Sequence, residues 1–185
     1  MTGSSGTGAP DAGERAKSRA TTKMPSESEI YAILSEVNDP EIPVLNIVEM
    51  GMVRAVSVSG VRVSIDITPT YSGCPIMNVI GRDIRDALKR HGVEVADLKT
   101  VYAPPWTTDW ITDDARRKLK EYGIAPPPAV VEQPLFGPNR TLERVPCPFC
   151  ESEETDLRSE FGSTACKSLH FCNSCTQPFE HFKCL

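Results

Sequence analysis

The apolar positions of this chain change period several times, and each change marks an element. Ile30, Ile33, Leu34 and Val37 recur at helical spacing and predict a first helix with one dry face. Ser26-Glu27-Ser28-Glu29 forms a capping box in front of it, and Asp39-Pro40 supplies its stop. A strand is predicted near Val53–Val58, and strict alternation follows through Val61, Val63, Ile65 and Ile67, with Ser59-Gly60 as the turn of a hairpin. The helical period returns from Ile76 to about His91, where Ile76, Val79, Ile80, Ile84, Ala87 and Leu88 line one face and Gly92 ends it. A third strand is predicted from Leu98 to about Tyr102. A third helix follows over about Asp113–Tyr122, capped by Thr112 and stopped by Gly123. The order α-β-β-α-β-α over residues 24–125 predicts an α+β domain, helices covering a small mixed sheet in two layers.

The flanks have no such period. Residues 1–23 carry no apolar side chain larger than alanine after Met1, and this predicts a disordered tail. Residues 126–142 are proline-rich and predict a semi-rigid linker, with Leu135-Phe136 as a pair that docks on a flanking domain. Residues 143–185 form a small module whose core is little more than Leu157, Phe161, Leu169, Phe171, Phe179 and Phe182. A piece this small generally needs a metal or cross-links to fold. It has the means: Cys147-Pro148-Phe149-Cys150 and Cys172-Asn173-Ser174-Cys175 are two C-x-x-C pairs separated by 21 residues. Two such knuckles meet at one tetrahedral zinc in a zinc ribbon, which is favoured over a rubredoxin-like iron site and over two disulfides.

Charge narrows the partners. The chain is 39% hydrophobic and 24% charged with a net charge of -5, values of a soluble globular protein without the basic face of a non-specific nucleic-acid binder. The C-terminal module alone has seven acids against four bases, which argues for protein docking. No apolar run approaches the ~20 residues of a membrane span. With no secretory h-region and seven cysteines, the expected setting is the cytoplasm, with thiols held by metal.

The chemistry centres on Thr68-Pro69-Thr70-Tyr71-Ser72-Gly73-Cys74-Pro75, where a strand delivers one cysteine to the start of a helix. Pro75 suits the first helical position and makes Cys74 the expected N-cap, a setting that favours the thiolate. Cys74 is then a metal or persulfide ligand or a nucleophile; the plain alternative is a small buried hydrophobe. Asp39 and Glu41, in the irregular segment Asp39-Pro40-Glu41-Ile42-Pro43, are candidate oxygen ligands beside it, or solvated loop acids. Trp106 and Trp110 either lid this loop or pack in the core. Cys166 and Cys184, with His170 and His181 nearby, are candidates for a second metal or redox site. A nucleophilic Cys74 lacks a base, since His91 lies at the far end of its helix and the other histidines belong to the ribbon.

The chain resembles the PaaD family, the small accessory subunit of the phenylacetyl-CoA epoxidase system. The residues that carry the match are Asp39-Pro-Glu-Ile-Pro43, Thr68–Pro75, Pro104-Pro-Trp-Thr-Thr-Asp-Trp110, Cys147-Pro-Phe-Cys150, Phe161-Gly-Ser-Thr-Ala-Cys166-Lys and Cys172-x-x-Cys175. The first domain is also similar to the wider iron–sulfur assembly domain. The resemblance implies an α+β domain with one functional cysteine, Cys74, that meets iron or an iron–sulfur cluster transiently, and a role in aerobic phenylacetate breakdown. The implied partners are the oxygenase and reductase subunits, whose metal centres it helps to load. A single cysteine is too few for a stable cluster, so a homodimer could pair two Cys74 thiolates around one. A subunit that only bridges oxygenase and reductase is the alternative.

Overall fold

The computed structural model describes residues 25–59, 62–127 and 144–183. The N-terminal tail, the Gly60 half of the hairpin turn, most of the linker with Leu135-Phe136, and Cys184 lie outside the described residues. Helix α1 (Glu27–Leu34) begins at the capping box: the Ser26 hydroxyl accepts the Glu29 N–H at 3.2 Å, and the Glu29 carboxylate accepts the Ser26 N–H at 2.6 Å. It ends well before Asp39-Pro40. The Val37 carbonyl accepts the Ile47 N–H at 3.0 Å and the Asp39 N–H reaches the Leu45 carbonyl at 2.8 Å, so residues 37–39 pair with a later stretch instead of continuing the helix. Val37 is buried all the same, beside Ile42, Leu45, Ile47, Met50 and Met52, an aperiodic run that packs fully into the core.

Strands β1 (Val53–Ser59) and β2 (Arg62–Ile67) form the antiparallel hairpin, and β3 (Glu94–Thr100) joins β2 in parallel, giving the sheet order β1-β2-β3. Strand β3 starts four residues earlier than its apolar pattern indicates. Its polar members Glu94, Asp97 and Lys99 are held by pairing with Arg62, Ser64 and Asp66, and pairing overrides side-chain preference at a sheet position. The connection from β2 to β3 runs through α2 (Met77–Arg90), the crossover that parallel strands require. Val63, Ile65 and Ile67 from the sheet share one core with Ile80, Ile84 and Leu88 from this helix. Helix α3 (Asp113–Tyr122) has its expected caps: the Thr112 hydroxyl accepts the Ala115 N–H at 3.1 Å, and Gly123 ends it at φ 90°. The domain is α+β with a mixed sheet.

The last two residues of the first domain join the sheet of the ribbon. Strand β4 (Ile124–Ala125) leaves α3 directly and pairs in parallel with β7 (Pro178–Phe182) of the ribbon. The second sheet therefore has the order β4-β7-β6-β5, with β5 over Thr155–Ser159 and β6 over Lys167–Cys172. Lys120 pairs with Glu151 across the same junction. Phe182 and Cys166, both from the ribbon, sit in the main core of the first domain. The Phe182 ring meets Trp106 edge-on at 6.0 Å, and the Trp106 indole N–H donates to the Met50 carbonyl at 2.9 Å. Trp106 is thus a core residue, as the plainer of its two sequence readings has it.

One backbone position tolerates no side chain. Gly51 lies at φ 66°, and an added Cβ would stand 2.4 Å from the Trp110 Cβ and 2.7 Å from its carbonyl oxygen. Both neighbours belong to an ordered segment, and Arg54 stacks over the Trp110 ring at 3.4 Å. Gly51→Ala is expected to destabilise by about 2–4 kcal/mol, from left-handed strain plus this clash, read as a shift in denaturant midpoint at unchanged slope.

Candidate functional site

The turn after β2 places Cys74, though not as a helix cap. The Cys74 N–H donates to the Tyr71 carbonyl at 3.1 Å, which closes a tight turn and leaves Ile76 as the residue before α2, without a side-chain cap. The thiol is half-buried, and burial is the main reason it is pushed up from its ordinary value. The Ile76 N–H lowers it, and the carboxylates of Glu41 and Asp39 raise it further. The expectation of a helix-stabilised thiolate is therefore corrected: resting Cys74 is held as the thiol.

The two acids of the Asp39–Pro43 segment have different roles. Asp39 is buried, and one carboxylate oxygen accepts the N–H groups of Glu41 at 2.8 Å and Ile42 at 2.9 Å, which folds the segment into a turn. Burial still raises Asp39 above the ordinary carboxylate range. Glu41 is partly exposed, and it too is raised, by burial first and then by Asp39. Its side chain points to a residue 125 positions away: the Cys166 thiol donates to its carboxylate at 3.8 Å. Cys166 is buried, touches the Thr164 hydroxyl at 3.1 Å, and is raised by burial and then by the Glu41 and Asp39 charges. Tyr71 is raised as well, by burial first, and Cys74, Glu41 and Cys166 all contribute to its shift.

Glu41 thus contacts the Cys166 thiol across the junction of the two modules, and its charge also raises Cys74. Asp39 and Glu41 disfavour a further negative charge on either thiol, while the Lys167 ammonium offsets part of that effect at Glu41 and Cys166. The three histidines lie elsewhere: His91 pairs with Glu36 at 2.9 Å, and His170 and His181 lie on the ribbon with both rings held neutral by burial, His181 down to about 4.

Lys167 is the residue that sequence reasoning passes over. It is buried, bonds the Glu180 carboxylate at 2.9 Å and reaches the Glu41 carbonyl at 3.5 Å. It fixes the segment that carries Cys166 onto the loop that carries Glu41. Its position next to Cys166 is the available signal. Cys184 lies outside the described residues, so its pairing with Cys166 has no structural account; the partners of Cys166 are Thr164 and Glu41.

The ribbon cysteines converge as their spacing predicts. The sulfurs of Cys147, Cys150, Cys172 and Cys175 all lie within 4.8 Å of one another, with Cys147–Cys175 at 3.6 Å and Cys150–Cys172 at 3.5 Å. A tetrahedral ion with sulfur ligands at ~2.3 Å separates them by about 3.8 Å, so the cage fits one such ion. Backbone N–H donation, chiefly from Cys175, brings Cys172 down to about 7, while burial pushes Cys175 up to about 12. Four thiols this close ionise together only around a cation.

The comparisons with known proteins follow this division. The family model described as the PaaD zinc beta ribbon domain matches residues 132–183, and the one described as an iron–sulfur cluster assembly protein matches residues 27–101. An Escherichia coli protein named as one of the subunits of 1,2-phenylacetyl-CoA epoxidase is 47% identical over 166 residues, covering 90% of this chain and 98% of its own. The chain belongs to the PaaD family. An Fe-S protein maturation auxiliary factor of Porphyromonas gingivalis is 30% identical over 98 residues, 52% of this chain and 92% of its own. A crystal structure of a domain of unknown function from Bacillus anthracis is 30% identical, covers 50% of this chain and 90% of its own, and superposes with a TM-score of 0.48. The PaaD relationship spans both modules; the match to the iron–sulfur cluster assembly family covers the part that carries Cys74. Among the described residues, no helix is long and apolar enough to cross a membrane.

Proposed function

We propose that this PaaD-family protein is a non-catalytic accessory subunit of a phenylacetyl-CoA epoxidase system, and that it helps load iron or an iron–sulfur cluster onto the oxygenase or reductase component. The observation that carries the reading is the setting of Cys74: a half-buried thiol in the turn before α2, within the charge of Glu41 and Asp39, with the Glu41 turn held by Asp39. In this account Cys74 takes the cargo transiently, Glu41 is an auxiliary oxygen ligand, and Asp39 positions Glu41 through its backbone. Binding the cation displaces the thiol proton, and release to the client returns it. The ribbon's four thiols hold zinc, a structural ion with all four positions filled by protein.

The names of the relatives supply the system and the process, and the Cys74 setting supplies the chemistry. A test uses the client proteins. The oxygenase and reductase are purified from cells carrying wild type or Cys74→Ser, and iron and acid-labile sulfide are measured per protomer. Cys74→Ser is expected to yield a metal-poor client, depleted by about 10-fold or more as for loss of a metal ligand, while the variant itself keeps its fold and its zinc. Fully loaded partners would end the loading role and leave a bridging subunit as the account.

A further inference from the structure

We propose that residues 128–143, which join the two modules, dock across one face of the ribbon sheet through Leu135-Phe136. The register defines that face. Ala125 on β4 pairs with His181, His181 with Ser168, and His170 with Leu157 on β5, so these side chains run across all four strands on one side. The other side sends Ile124 and Phe182 into the main core and is already covered. On the first side lies a trough of about 890 Å³, lined by Ser168, His170 and His181 and walled by Pro126-Pro127 and Val145-Pro146. Its lining is not that of a solvated sheet face. Leu157 is 40% exposed there, and His181 Nε2 is buried with no hydrogen-bond partner among the described residues. Buried polar atoms are nearly always paired, so this nitrogen points to a polar group that belongs in the trough.

The chain itself supplies the occupant. The segment leaves at the β4 edge, where the Arg116 guanidinium donates to the Pro127 carbonyl at 2.5 Å. It returns at the β5 edge, where the Thr155 hydroxyl donates to the Val145 carbonyl at 2.8 Å. Strands at ~4.8 Å spacing put the two edges of the order β4-β7-β6-β5 about 15 Å apart. Fully extended, residues 128–143 reach roughly 50 Å, ample to cross the face and follow its contours. Val130, Val131, Leu135, Phe136 and Leu142 give the segment apolar side chains for Leu157 and the proline walls, and its backbone groups can meet His181. A bare spacer needs none of these. The ribbon family model begins at residue 132, so it takes in Leu135, Phe136 and Leu142 together with the cage cysteines. Docking also enlarges a ribbon core that Ala125, Cys147, Cys172 and Phe179 alone keep small. This holds whether or not Cys74 carries cargo.

The test uses the full-length protein with its cage metal bound. Wild type and a Leu135→Ser, Phe136→Ser double variant are digested briefly with a non-specific protease, and the imidazole C–H proton resonances are recorded. In wild type, cleavage within residues 128–143 is expected to be about 10-fold or more slower than in a synthetic peptide of the same sequence. The double variant should lose that protection and shift the His170 and His181 resonances, with metal content unchanged. Leu157→Lys, in the trough, should expose the segment in the same way. Cleavage of the wild-type segment at the rate of the free peptide would overturn the proposal and leave the trough to a separate partner molecule. Protection that survives either change would place the segment on another surface and overturn it equally. Unmoved imidazole resonances in the double variant would also show that the segment does not lie on this face, and that readout stands even if Leu157→Lys loses its metal.

Discussion

Cys172→Ser is expected to strip the ribbon of its metal and to unfold β5–β7. The ribbon's own core is Ala125, Cys147, Cys172 and Phe179, with Val145 and Cys175 packed against them. Three of these six are cysteines of the cage, so the hydrophobic core and the metal site are the same structure. A core of that size cannot offset the ordering of some forty residues at roughly 1–2 kcal/mol each. Structural zinc in comparable small modules supplies an apparent ~10–16 kcal/mol, far more than any single packing contact. Cys172 is fully buried and its sulfur accepts the Cys175 N–H at 3.5 Å, so a hydroxyl there loses both the ligand and the shape of the knuckle. Metal content per protomer should fall to near zero, and amide exchange in β5–β7 should approach that of an unfolded chain. A strong chelator on wild type should reproduce both effects. A variant with full metal and native exchange would show that the ribbon stands on packing, and the structural role of the ion would be withdrawn.

How far the sequence can be read follows from how local each feature is. The caps of α1 and α3 and the hairpin alternation depend on residues within a few positions, and the structure places them as read. The early end of α1 depends on the Asn38–Asn46 bridge, a pairing with a stretch that carries no period of its own. For the same reason nothing in the pattern marks Ile42, Leu45, Ile47, Met50 and Met52 as core, although all are essentially buried. The four ribbon cysteines are legible because metal spacing is a local rule. The Cys74 turn is legible as a site, but its electrostatics are not: the capping pattern suggests a thiolate, whereas burial and two acids keep the thiol. The meeting of Glu41 with Cys166 cannot be read at all. It depends on where β4 leads the chain after Gly123 and on how Phe182 seats the ribbon, neither of which leaves a pattern in neighbouring residues.

Phe182→Ala is expected to separate the two modules while leaving the metal cage filled. Phe182 has no exposed surface and contacts Trp106 edge-on at an interplanar angle of 71°. Truncation of a buried phenylalanine costs about 3–5 kcal/mol, and the aromatic pair lost here belongs to that cost. For a chain of this size that corresponds to a fall in melting temperature of roughly 6–20 °C. None of the four cage cysteines touches the mutated ring's place in the main core, so metal content should stay at wild-type level. Trp106 should lose part of its dry setting, giving a red-shifted tryptophan emission, because the Phe182 ring packs edge-on against the indole. This separates the variant from Cys172→Ser, which loses metal first and docking as a consequence. The comparison also bears on loading. Phe182 is the apolar wedge that brings the ribbon, and with it Cys166, against the Glu41 loop, and it contributes no ligand atom. If docking matters to transfer, Phe182→Ala should give metal-poor clients with its own cage metal and its Cys74 intact. Normal melting with unchanged tryptophan emission would show that the ring does not hold the modules together.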